Sequence, residues 1–231
     1  MFVGGLRALL LQSLHPLAMA GVAQHSDYRA DPWGRLQRTA DFLGTTTFGT
    51  VAQAEQACAV VRRVHERVQG IASDGRAYRA TDPHLLAWVH LTEVDSFLCA
   101  HARYGAEQLT PTESDGYVAD MAVVAREVGV LDPPTTTMDL RSMLRAYRPE
   151  LASTREARDA ARFLLSPPIP VVAVPAYAIL GAAAVGLLPA WTRWPLRLPY
   201  LPVTEALAVR PAGDALVRGL RWAMTPSAAL R

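Results

Sequence analysis

The stretch VAQAEQACAVVRRVHERV, Val51 to Val68, decides the fold class. Val51, Ala54, Cys58, Val61, His65 and Val68 recur at alternating spacings of three and four residues, while Gln53, Glu55, Arg62, Arg63, Glu66 and Arg67 lie mostly off that stripe. That period is one face of an amphipathic α-helix, and it places the imidazole of His65 on the buried side. Towards the N-terminus, Leu6, Leu9, Leu10, Leu14 and Leu17 repeat at helical spacing, and Pro16 is expected to kink or divide that segment after Leu14. Asp31-Pro32 supplies an N-cap and a tolerated first-turn proline for a helix through Leu43, with Gly44 as its end and Thr45 to Gly49 as loop.

Towards the C-terminus, Gly70 to Ala80 reads as a turn or small hairpin. Asp82-Pro83 opens a helix in which Leu86, His90, Val94, Phe97, Leu98 and His101 follow one face. Thr110 to Glu113 and Ser153 to Glu156 are capping boxes, starting helices that end at Gly129 and near Pro167. No strand-like alternation of useful length and no internal repeat is present. The pattern predicts an all-α, multi-helix single domain over residues 1–231.

Half of the 231 residues are apolar (51%) and the charged share is 19%, a composition that folds and buries a core. Every basic residue is arginine, and the net charge of +2 is scattered, which excludes a nucleic-acid binder. Cys58 and Cys99 sit within helical patterns and read as small buried hydrophobes of a reducing, cytoplasmic compartment. The chain begins inside a helix already under way, without a signal-peptide pattern, so a short upstream segment is expected to be missing. Ile169 to Pro189 is uncharged and long enough to suggest a membrane span, but its prolines, glycines and alanines favour a buried helix. Trp191, Arg193, Trp194 and Arg197 follow it as an aromatic and cationic edge, leaving residues 169–197 as a candidate for peripheral membrane contact.

No HExxH, CxxC, GxSxG, P-loop or GxGxxG motif occurs, and the residues three before His65, His90 and His101 are Arg62, Ala87 and Leu98, so paired Glu-x-x-His ligands are absent. Of the histidines, His15, His25, His65 and His90 are candidates, whereas His84 and His101 lie near helix ends. For each candidate taken singly, a core histidine satisfied by a backbone carbonyl is the favoured reading over a ligand. Arg35, Arg38 and Thr39 stand at i, i+3 and i+4 and share a helix face. They are either surface residues paired with Asp27, Asp31 or Asp41, or one wall of a site for an anionic or oxygen-bearing ligand between two helices. A haem meets the second description, needing an apolar slot, an axial imidazole and cations, although periodicity alone does not single it out.

The segments LLLQSLHPLAMAGVAQHSDYRADPWGRLQRTADFLGTTTFGT, AVVRRVHERVQG, YRATDPHLLAWVHLTEVDSFL and LLPAW together resemble the MpaB-like and rubber-oxygenase catalytic domain family, over nearly the whole chain. The resemblance implies a haem b buried in an all-helical domain, with iron held by His65. It implies that Arg35, Arg38 and Thr39 lie on the distal, oxygen-binding side, and that His90 packs in the haem pocket. His65 would have its Nδ1 proton held by a carbonyl or carboxylate. The partners implied are dioxygen and a small hydrophobic substrate of isoprenoid, lipid or polyketide type, oxidised at a carbon–carbon double bond. Two departures separate the chain from the rubber-cleaving members. Arg38 replaces a lysine and cannot deprotonate to ligate iron, and no acid precedes Asp27 where those members carry a glutamate. A non-catalytic helical haem- or lipid-binding protein at a membrane surface is the alternative.

Overall fold

The computed structural model describes residues 2–26 and 31–224. Helices α1 (Phe2–Gln12) and α2 (Pro16–His25) meet at a bend of 107°, where the predicted break at Pro16 falls. Helix α3 (Pro32–Phe48) and helix α4 (Val51–His65) form an antiparallel hairpin, followed by the two-stranded β1 (Gln69–Ile71) and β2 (Ala77–Arg79). Next come α5 (Pro83–Tyr104), α6 (Pro111–Val128), α7 (Thr137–Ala146), a 3₁₀ turn over Arg148–Glu150 and α8 (Arg155–Leu165). The chain ends in α9 (Val174–Gly186), α10 (Ala190–Arg193), α11 (Pro202–Thr204), a π turn over Glu205–Val209 and α12 (Arg210–Met224). The all-α expectation holds, with the small hairpin foreseen at Gly70 to Ala80.

Helix α5 is the axis of the molecule: α1, α6, α7 and α12 all pack against it. Its contact with α1 is close because a Cβ at Gly4 would sit 2.8 Å from Cδ1 of Phe97 and 3.2 Å from the Ser96 carbonyl oxygen. One apolar cluster joins Leu10, Leu11, Leu14 and Met19 to the alanines of α8 and to Leu188. A second joins Leu86, Trp88, Leu91 and Val94 of α5 to Val118, Ala125, Leu140 and Tyr147. Trp88 Nε1 donates to the Gln12 carbonyl at 3.2 Å, satisfying one of the acceptors exposed where α1 ends.

The caps behave as their chemistry dictates. Thr50 with Gln53 and Thr110 with Glu113 form reciprocal capping boxes, and Gly129 ends α6 at φ 108°, a conformation that favours glycine. Three expectations are corrected. Helix α3 does not stop at Leu43 but continues to Phe48: Gly44 is tolerated inside it, and Thr46 is accommodated with its Oγ1 donating to the Phe42 carbonyl at 2.9 Å. The cap of α8 is Thr154, whose side chain accepts from Ala157 N at 3.1 Å; Ser153 Oγ is buried without a hydrogen bond. Val51 opens the α4 stripe but is exposed.

Among the described residues no single helix is long and apolar enough to cross a membrane; only the bent pair α1 and α2 meets the length and composition. The apolar segment from Ile169 forms α9 from Val174 onward; the expectation of a buried helix holds for its second half, at Gly181 and Ala183 to Val185, whereas Val171, Val172 and Val174 are exposed. Arg193, assigned above to a cationic edge, is buried. It pairs with Glu205 at 2.5 Å and donates to the carbonyls of Gly186 (3.0 Å) and Leu188 (3.2 Å), capping the end of α9.

Candidate functional site

The α3–α4 hairpin carries most of the predicted site residues. Asp31 Oδ1 accepts from Gly34 N at 2.8 Å and starts α3. Arg35 is half-buried and donates to Ser26 Oγ at the end of α2. Arg38 and Thr39 are exposed: Arg38 Nη1 lies 3.4 Å from Asp31 Oδ2, and Thr39 Oγ1 donates to the Arg35 carbonyl at 3.0 Å. The Arg38–Asp31 contact is the surface pairing foreseen in the sequence, and an exposed pair of this kind contributes about 0–1 kcal/mol. Asp27 lies outside the described residues.

His65 is the last residue of α4 and half-buried, with Nδ1 enclosed and without a hydrogen-bond partner. The expected carbonyl or carboxylate behind Nδ1 is not there. The carbonyls of the closing turn at Arg62, Val64 and His65 already accept from Glu66, Arg67 and Val68. His90, half-buried midway along α5, likewise has Nε2 enclosed and unpartnered. Burial lowers the pKa of both rings, that of His90 to about 4, so both are neutral near pH 7. A neutral imidazole with an orphaned buried nitrogen has unmet capacity, which core histidines normally do not. At these two nitrogens the carbonyl-satisfied reading does not apply.

One turn beyond His90 stands Glu93, which the sequence reading did not single out. Burial pushes its carboxyl from 4.5 up to about 7, and its charge adds to burial in raising the phenol of Tyr117 on α6. Glu93 thus holds a proton in the native state at pH values where the unfolded chain has lost it. Because the folded value lies above the unfolded one, stability declines as pH rises from about 4.5 to 7, by about 3 kcal/mol in all, and then levels off. Glu93→Gln is therefore expected to stabilise the protein by about that amount at pH 8 and to leave it unchanged at pH 4, measured as urea midpoints across pH.

A second polar group lies at the other end of α5. His15, 2% exposed, caps α2 by accepting from Ala18 N at 3.5 Å. Its Nε2 makes no hydrogen bond and stands 3.6 Å from Glu150 Oε2. His84 Nε2 is 2.8 Å from the same oxygen, and its ring stacks on Tyr147 with centroids 4.5 Å apart. The ligand atoms of His15, His84 and Glu150 all lie within 4.8 Å of one another, near enough to share a metal ion. His84 read as ordinary in sequence because nothing local announces Glu150, sixty-six residues on. His25 is now accounted for: its Nε2 meets the Gln69 carbonyl at 3.1 Å and locks α2 to the hairpin.

A comparison with protein families matches residues 1–224 to the family described as ER-bound oxygenase mpaB/B'/Rubber oxygenase, catalytic domain. The chain belongs to this family. Comparisons with curated proteins and with solved structures returned no match. The mpaB/rubber-oxygenase family consists of oxygenase catalytic domains, so the chain is assigned to the oxygenases, and its helical architecture is the frame on which that chemistry is built.

Proposed function

We propose that this mpaB/rubber-oxygenase domain is a haem b-dependent oxygenase acting on a hydrophobic substrate of isoprenoid, lipid or polyketide type, by oxidative cleavage of a carbon–carbon double bond. The observation that carries the reading is His65: a neutral imidazole at the end of α4 whose enclosed Nδ1 has no protein partner. The donor set fits a haem, with His65 as the iron ligand and His90 as a wall of its pocket. Haem, when bound, supplies the redox-active iron at which dioxygen is activated.

The residues of the chain have separable tasks. Arg35 and Arg38 carry permanent charge and can donate two hydrogen bonds each to anionic or oxygen-bearing groups, and neither can lose its proton and become a ligand. Thr39 supplies a hydroxyl one turn from Arg35. Of the three, Arg35 alone is half-buried, so its polar contacts gain most from partial exclusion of water, whereas Arg38 and Thr39 face solvent. Arg35→Ala is expected to retain haem absorption and to lower dioxygen-dependent turnover on the order of 100-fold, the size of effect seen when one preorganised donor is removed. Unchanged turnover would remove Arg35 from the site. The departures at Arg38 and ahead of Asp27 argue against polyisoprene itself as substrate, so the reading as a whole is tested by dioxygen uptake and product analysis with unsaturated isoprenoid, lipid and polyketide substrates. Haem-loaded protein that consumes no dioxygen with any such substrate would leave the non-catalytic binder in its place.

Contact with a membrane surface through residues 169–197 is supported by exposed side chains there: Val171 at 86%, Val172 at 90% and Trp194 at 89%. The family description includes ER-bound members, which accords with such contact. An aromatic and aliphatic edge of this kind sits at the headgroup level of a bilayer.

A further inference from the structure

We propose that His15, His84 and Glu150 form a metal site separate from His65, taking one divalent ion of the zinc class. The three residues come from segments far apart in sequence: the bend between α1 and α2, the first turn of α5, and the 3₁₀ turn after α7. Their ligand atoms converge within 4.8 Å, and a tetrahedral zinc with bonds of about 2.0–2.1 Å sets its ligand atoms roughly 3.3 Å apart. The Glu150 carboxylate is already 2.8 Å from His84 Nε2 and 3.6 Å from His15 Nε2, so binding requires the exposed side chains of His84 and Glu150 to draw in around the ion beside the buried His15.

Two observations point to a ligand. The first is His15 Nε2, an unpartnered nitrogen on a side chain only 2% exposed, directed at Glu150. The second is the convergence of His84 on the same carboxylate: its Nε2 lies 2.8 Å from Glu150 Oε2 and 3.0 Å from Oε1, while its Nδ1 meets the Tyr147 hydroxyl at 3.2 Å. A ring held by a second group at Nδ1 while Nε2 faces the ligand position is the arrangement of a metal-binding histidine.

The donor set selects the ion. Two imidazoles and one carboxylate suit zinc and its neighbours, whereas calcium and magnesium take all-oxygen sets. With His84 at 51% and Glu150 at 42% exposure, water has access to a fourth position. Coordination through His15 Nε2 places the ring proton on Nδ1 and gives up the Ala18 contact, which at 3.5 Å is at the weak limit of a hydrogen bond. The bound ion clamps three chain segments at the base of α5 and stabilises the folded chain by mass action.

The test uses the full chain, stripped with EDTA and dialysed against zinc chloride, with zinc content and thermal midpoint as readouts. One zinc is expected per chain, with a rise of several degrees in Tm. Both are lost in His84→Ala and in Glu150→Gln, whose exposed positions leave the core intact, and both persist in His65→Ala. Absence of bound zinc in the parent chain, or zinc binding and a Tm shift unaltered by His84→Ala and Glu150→Gln, would overturn the site. His65→Ala keeps this outcome separate from that of the haem reading.

Discussion

Asp95→Ala is expected to lower the stability of the fold by about 3–5 kcal/mol, the cost of leaving a buried charge without its partner. Arg7 lies on an otherwise apolar helix and is 3% exposed, whereas Asp95 is 19% exposed. Its guanidinium meets Asp95 Oδ2 at 2.8 Å, Ser96 Oγ at 2.7 Å and the Leu187 carbonyl at 2.9 Å, so one side chain ties α1 to α5 and to the end of α9. With Asp95 removed, two neutral acceptors remain and the positive charge cannot reach water. The asymmetry of exposure makes the reverse change milder: in Arg7→Met an apolar chain fills the space and the Asp95 carboxylate can turn to solvent. Urea unfolding should show a lower midpoint with an unchanged slope for Asp95→Ala, and a smaller drop for Arg7→Met. A loss under about 1 kcal/mol for Asp95→Ala would mean that the pair behaves as an exposed one.

That clamp was hidden in the sequence, and the reason is general to this fold. Interactions set by neighbours along the chain were legible: the Thr50–Gln53 and Thr110–Glu113 boxes, the break at Pro16 and the apolar stripe that turns His65 inward all follow from spacing. Features that depend on what packs opposite were not. Arg193 looked like part of a surface edge beside three exposed residues, yet Glu205 and two carbonyls receive it inside. Glu93 carries no local mark of burial, and only α6 with Tyr117 reveals its environment. Thr45 to Gly49 were read as loop because Gly44 looked like a helix end, but the helix runs through that glycine, and within it Thr46 folds its hydroxyl back onto the Phe42 carbonyl one turn earlier. His15, His84 and Glu150 join residues separated by up to 135 positions, which no periodicity connects.

His65→Ala is expected to abolish haem binding while leaving the fold in place. The residue closes α4, is half-buried, and has no hydrogen bond at Nδ1 to lose, so alanine there should change stability by less than about 1 kcal/mol. Its contribution in the account is ligation alone, and burial keeps the ring unprotonated and ready for it. His90→Ala provides a contrast. It removes a larger part of the α5 packing face with no iron bond, so it should loosen haem and not eliminate it. A His65→Ala protein that retains the parent spectrum would transfer the ligand role to another residue.

Whether the chain holds a haem through His65 is decided by the absorption spectrum of the purified protein together with a haem extraction assay. A Soret band and one extractable haem b per chain are expected, both absent from His65→Ala protein that melts like the parent. Protein that stays colourless after reconstitution with haem would contradict this, and would return the unpartnered nitrogen of His65 to a matter of packing.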